Sequence, residues 1–278
     1  MILSTAHPAL DPGGPILLVG VGVGLYLLAT APMRWLRGLS AAALVGGWLL
    51  HGLLLAIDIG GVGLSEPGAR LGFAPVLSMT VWLVIAVYTV ESRLVPLPAV
   101  RQWLALAGLL VLIVSAEYPG ELRPITSPLA PWHFALGVGA YALFGAAVVH
   151  ALLLDAAERR LRGGGNASLR MPPGKTLGMP LLQLEHLTFR FVQAGFLALT
   201  ATIALGLLNT VQWRWGDHKA VFSLLAWAVF AALLLGRQLR GWRGRQATRW
   251  LYSGAVLLLL AYVGSRFVLE VLLGRSLT

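Results

Sequence analysis

Trp213-Arg214-Trp215-Gly216-Asp217-His218-Lys219 leads into an apolar run from Ala220 to Leu235, and Gly241-Trp242-Arg243-Gly244-Arg245 lies just beyond its far end. An apolar run of this length, with Trp at one end and Arg at the other, is the pattern of a helix crossing a bilayer. About 20 residues of helix span the ~30 Å of hydrocarbon, and aromatic and basic residues settle at its two surfaces. Asp217 and His218 stand at the mouth of that helix, where a carboxylate and an imidazole are costly unless they bind something.

Seven further runs extend this reading along the chain. Hydrophobic residues make up 58% of the sequence and charged residues 12%, against roughly 25% charged in a soluble domain. The charges cluster between eight apolar segments, at roughly 14–31, 39–57, 73–90, 100–116, 132–154, 185–208, 219–236 and 249–272. Continuous apolarity excludes a transmembrane β-barrel, whose strands alternate. The expectation is an all-α polytopic membrane helical bundle, one transmembrane domain over residues 1–278, with no soluble domain and no internal repeat. Asp155 to Leu184 is expected to be an inner loop, with Leu64–Gly72 and Tyr118–Pro131 as outer loops.

The net charge of +10 marks orientation in the lipid bilayer, not nucleic-acid binding. Fourteen Lys and Arg fall in the loops after segments 1, 3, 5 and 7, among them Arg34, Arg93, Arg159 and Arg245; five fall on the other side. By the positive-inside rule both termini and the Trp213–Lys219 loop are outside (N-out/C-out), in a bacterial inner (plasma) membrane. Segment 1 is expected to be retained, because no Lys or Arg precedes it while Arg34 and Arg37 follow it, the reverse of a secretory signal. The chain has no Cys, so disulfide and thiol chemistry are excluded.

The Trp-containing loop and its following helix resemble those of the cytochrome c assembly (Ccs/Ccm-type) heme-handling membrane proteins. In that family the loop carries Trp and Asp-Pro-Lys, then a helix with a further Trp. Asp217, Lys219 and Trp227 hold the equivalent positions here, Gly241–Arg245 follows, and Tyr262 and Gly264 fit the same pattern. The likeness is strongest over 131–270 and is greatest to the shorter, HemX-like branch. His218 replaces the family's Pro, Ala220 its Glu, and no His follows the last segment. The resemblance implies noncovalent b-type heme, presented or sheltered at the outer face for a membrane partner protein. With no thiol and an incomplete loop, it implies no bond-forming activity in this chain alone. Trp215 and Asp217 are the loop residues it places at the heme.

Three histidines are candidate iron ligands, since His is a common axial ligand of heme. His51 lies two-thirds along the second segment, His133 opens the fifth in Pro131-Trp132-His133, and His218 opens the seventh. All three fall in the outer half of the predicted topology. His133 resembles the family's outer histidine, with Tyr141 eight residues on, and His51 is its candidate partner as a metal ligand. Gly47, Gly52, Gly137 and Gly139 either leave room for a macrocycle or serve helix–helix contact. Arg266 is a candidate for neutralising propionates, or simply the partner of Glu270 one turn on. A second, inner site at His150 and His186 is the weaker expectation, and His7 is expected to be inert. Two other classes compete: a non-heme accessory or regulatory subunit that keeps the fold, and a small transporter, which would show paired broken helices.

Overall fold

The computed structural model describes residues 13–31, 37–59, 68–92, 98–124, 127–162, 175–176, 179–209 and 218–273. These contain eight helices: α1 (Gly13–Ala29), α2 (Arg37–Ile59), α3 (Phe73–Glu91), α4 (Pro98–Glu117), α5 (Ala130–Arg162), α6 (Leu181–Asn209), α7 (His218–Arg240) and α8 (Gly244–Leu272). Helices α2 to α8 are each long and apolar enough to cross a membrane; α1 is a shorter apolar helix. The chain is an all-α, multi-pass membrane protein. Leu17, Leu197 and Leu208 are 70%, 70% and 77% exposed, which suits side chains surrounded by lipid, where backbone groups must be satisfied within each helix.

Two features depart from the expected segments. α5 continues to Arg162 and α6 begins at Leu181, so the expected loop from Asp155 to Leu184 is shorter. An apolar window marks only the hydrocarbon part of a helix, and the backbone bonds propagate past it. The two loops at Leu64–Gly72 and Tyr118–Pro131 are also not wholly irregular. Within them β1 (Gly68–Leu71) pairs antiparallel with β2 (Glu121–Pro124), Gly68 opposite Pro124 and Leu71 opposite Glu121. A further two-residue ladder joins β3 (Lys175–Thr176) to β4 (Met179–Pro180).

The chain groups into two compact units. Unit 1 comprises residues 1–90, 97–131 and 263–278; unit 2 comprises 91–96 and 132–262. In unit 1, α1 packs on α2 and α4 around a buried polar triad. His51 Nδ1 meets the Tyr26 hydroxyl at 3.0 Å and its Nε2 meets Ser78 Oγ at 2.7 Å. All three residues are fully buried, so each polar atom is satisfied within the protein, as burial requires. Beside the triad, Trp48 and Trp82 stack at 5.1 Å and exchange bonds: each indole N–H donates to the other's backbone carbonyl, at 3.0 and 2.9 Å. This reciprocal pair fastens α2 to α3.

In unit 2, Phe144 of α5 stacks on Phe230 of α7 at 3.7 Å in the centre of the apolar core. One end of the unit is tied by polar contacts: Arg237 donates to Glu185 at 2.8 Å and lies 3.7 Å over the Phe189 ring. His150 contacts Glu91 at 3.0 Å. Gly241, Trp242 and Arg243 of the expected basic anchor form the turn between α7 and α8, and Gly244 and Arg245 open α8. Gly241 and Gly244 have φ of 66° and 56°, a region that non-glycine residues occupy only at a cost. Trp242 folds back over Gly236, where a Cβ would collide with the indole, and the backbone N–H of Trp242 donates to the Gly236 carbonyl.

α8 is irregular in its second half. Its α-helical part, Gly244–Leu259, passes into a π-helical segment at Leu260–Gly264, one α turn at Ser265–Phe267 and a second π-helical segment at Val268–Leu272. π-helical turns are rare and occur frequently at functional sites.

Candidate functional site

His133 sits in the first turn of α5, half-buried, with its Nδ1 3.0 Å from the backbone carbonyl of Thr202 in α6. A carbonyl only accepts, so Nδ1 carries the proton and donates. A neutral imidazole arranged this way leaves the lone pair on Nε2 for a metal. Histidines that bind metals are commonly oriented in this manner, by an outer hydrogen bond that fixes tautomer and ring plane. One turn further along α6, Gly206 makes room for the ring: a Cβ there would lie 3.2 Å from His133 Cε1. Thr202 and Gly206 were not singled out in the sequence. A backbone acceptor has no residue code, and a lone Gly in a membrane helix reads first as packing.

The same end of unit 2 collects other residues of the family pattern. His218 and Lys219 start α7, which follows α6 in the antiparallel order, and His218 is exposed. The Lys219 ammonium stands 5.8 Å over the Tyr262 ring in the π-helical part of α8, a separation at which the ring face attracts a cation. Tyr141, eight residues after His133, donates its hydroxyl to the Leu258 carbonyl just before that π-helical segment. Trp227 donates to Thr200 Oγ1 at 3.0 Å and stacks on Phe196 at 5.5 Å. These contacts join α5 to α6, α5 to α8, α6 to α7 and α7 to α8 pair by pair. Trp215 and Asp217 lie outside the described residues.

His51 and Arg266 belong to unit 1 and are both engaged there. Both ring nitrogens of His51 carry hydrogen bonds, so binding iron requires one of them to break. Arg266, buried, pairs with Glu270 at 3.4 Å, and Glu270 accepts from the Phe73 N–H at the start of α3, also at 3.4 Å. A carboxylate there is favoured by the helix dipole. The glycines near the candidate histidines divide the same way. Cβ atoms at Gly47 and Gly52 would meet Tyr26 at 3.2 Å and Trp82 at 2.9 Å, so those gaps are filled by aromatic side chains. A Cβ at Gly137 would be in ordinary contact with Thr202, whereas the space at Gly139 is open. Among the described residues no group of three or more His, Cys, Asp or Glu is placed to hold a metal ion.

Comparison with known proteins covers the whole of this architecture. The "Inner membrane protein YpjD" of Escherichia coli (strain K12) is 28% identical over 265 residues, covering 92% of this chain and 97% of its own. An "Uncharacterized 28.8 kDa protein in nifR3-like 5'region" of Azospirillum brasilense is 27% identical over 265 residues, covering 94% and 86%. The "Cytochrome c biogenesis protein CcsA" of Prochlorococcus marinus (strain MIT 9303) is 37% identical over 90 residues, only 30% of this chain and 27% of its own. No solved structure matches. The profile of the family described as "Cytochrome C assembly protein" matches residues 14–273, from α1 to the end of α8, and the chain belongs to that family.

Proposed function

We propose that this protein is a heme-handling component of the bacterial inner membrane, which binds noncovalent b-type heme at the end of unit 2 and presents or shelters it for a membrane partner. The observation that carries the reading is the His133–Thr202 hydrogen bond, because it presets Nε2 as a metal-binding nitrogen. The chemistry fits the group: iron in heme needs only axial ligands from the protein, and His133 supplies one. His218, exposed at the start of α7 on the same unit, would be a second residue able to hold the iron. Lys219 brings positive charge to the same end, of the sign that propionates require. The bound heme would supply the redox-active iron; the chain's own residues orient it and hold it within the helix end.

By the positive-inside rule this end faces outward, with both termini on that side. The chain contributes no thiol, and we assign it no bond-forming activity alone: it acts on heme destined for another protein. Deleting the gene is expected to lower cytochrome content or heme tolerance, and Trp215→Ala or Asp217→Ala is expected to reproduce the deletion. Normal cytochrome content and heme tolerance in the deletion strain would remove this role. A second reading, an accessory subunit that keeps the fold without heme, is favoured by the engagement of both His51 nitrogens and of Arg266.

A further inference from the structure

At the opposite end of unit 2, the last turns of α5 and the first turns of α8 enclose a cleft of about 230 Å³ lined by Asp155, Glu158, Arg159, Arg245, Thr248, Arg249 and Tyr252. We propose that this cleft binds the phosphate of an anionic phospholipid headgroup. Of the two acids of the cleft, Asp155 already has partners on α8. Asp155 accepts from the Thr248 hydroxyl on one oxygen, at 3.1 Å, and from the Tyr252 hydroxyl on the other, at 2.9 Å. Glu158 lies against the start of α8, its Oε1 3.1 Å from where a Gly244 Cβ would be, a place where the helix dipole favours a carboxylate. The three arginines differ. They are exposed, and among the described residues none of them forms an ion pair, whereas Arg237, Arg243 and Arg266 do. Three guanidiniums converging on a polar cleft make a cradle for phosphate oxygens, which Arg binds bidentately.

The depth of the cleft selects the source of the phosphate. α5 has 33 residues, about 50 Å of helix at 1.5 Å each, against ~30 Å of hydrocarbon. Its final turns, which carry Asp155, Glu158 and Arg159, therefore reach the headgroup layer. Trp242 and Trp250 lie beside the start of α8 with ring centroids 5.2 Å apart, an aromatic pair of the kind that settles at the membrane surface. Basic pockets between helices at this level hold anionic headgroups. The lipid would brace the ends of α5 and α8, which Asp155 already ties together.

The test uses the full chain in nanodiscs of equal parts phosphatidylglycerol and phosphatidylcholine, extracted gently and examined by native mass spectrometry for retained lipid. The wild type is expected to retain phosphatidylglycerol selectively. The double variant R245Q/R249Q is expected to lose that retention by about tenfold or more, and R159Q, on the other helix, by a smaller factor. R240Q, at an exposed arginine outside the cleft, is expected to behave as wild type, with thermal unfolding confirming that every variant is folded. Equal retention of the two lipids, or an equal loss in R240Q and R245Q/R249Q, would overturn the proposal. Displacement of the lipid by millimolar inorganic phosphate would overturn the lipid assignment in favour of a soluble phosphate compound.

Discussion

The Nδ1–H of His133 donates to the carbonyl of Thr202 across the α5–α6 interface, at 3.0 Å. The bond decides more than ring orientation, because it fixes which nitrogen is bare. It also makes α6 part of the site, although no α6 side chain is among the sequence candidates for the outer site.

Gly206 tests that arrangement without removing the histidine. A side chain at this position would begin 3.2 Å from the imidazole, so Gly206→Val is expected to push the ring off the Thr202 carbonyl and to weaken heme retention severalfold. Gly139→Ala, where a Cβ meets nothing within 4 Å, is expected to be silent. Titration of purified protein with heme reads both. Equal behaviour of the two variants would separate Gly206 from the site.

His51 is expected to act as a structural post. Replacing it by Ala leaves the Tyr26 and Ser78 hydroxyls buried without their partner, at about 1–3 kcal/mol each, and adds a cavity between α1, α2 and α3. Thermal unfolding in detergent should show a large drop for His51→Ala, while heme bound per folded molecule stays the same. Loss of heme with unchanged unfolding temperature would make His51 a ligand instead.

The α7–α8 turn gives a prediction independent of heme. Gly236→Leu would force Trp242 off the helix, an overpacking that costs about 1–3 kcal/mol. Gly241→Ala, at φ 66°, is expected to cost about 1–2 kcal/mol. Both should lower the unfolding temperature. A neutral Gly236→Leu would mean that Trp242 is free to leave its position.

Topology follows from the distribution of basic residues. Reporter fusions at Asn166 should be active only as cytoplasmic reporters, and fusions at Glu121 or after Thr278 only as exported ones. A cytoplasmic C-terminus would invert the assignment of the His133 end to the outer face.

The fold was legible because each apolar run is long enough to force a helix, and all eight helices stand where the runs predict. Helix ends were less so: nothing in Asp155–Arg162 is apolar enough to mark a span, yet α5 continues through it. The β1–β2 ribbon escaped notice because four-residue strands rich in Gly, Pro and Arg carry no alternation. At the site, the pattern residues Lys219 and Tyr262 were named separately, and the structure brings them together. His51 was paired with His133 in the sequence on position alone, because depth in a helix does not reveal partners. Tyr26 and Ser78, from two other helices, distinguish it.

The most direct measurement of the central claim is the absorption spectrum of the purified protein, as isolated and after reduction, for wild type and His133→Ala. The wild type is expected to show a Soret band that shifts on reduction, with heme extractable by acid acetone, since no cysteine is present to hold it covalently. His133→Ala should abolish or shift the band, and His7→Ala should leave it unchanged. A wild-type protein that remains colourless after heme is supplied in membranes, or a band that survives His133→Ala and disappears in His150→Ala, would contradict the account.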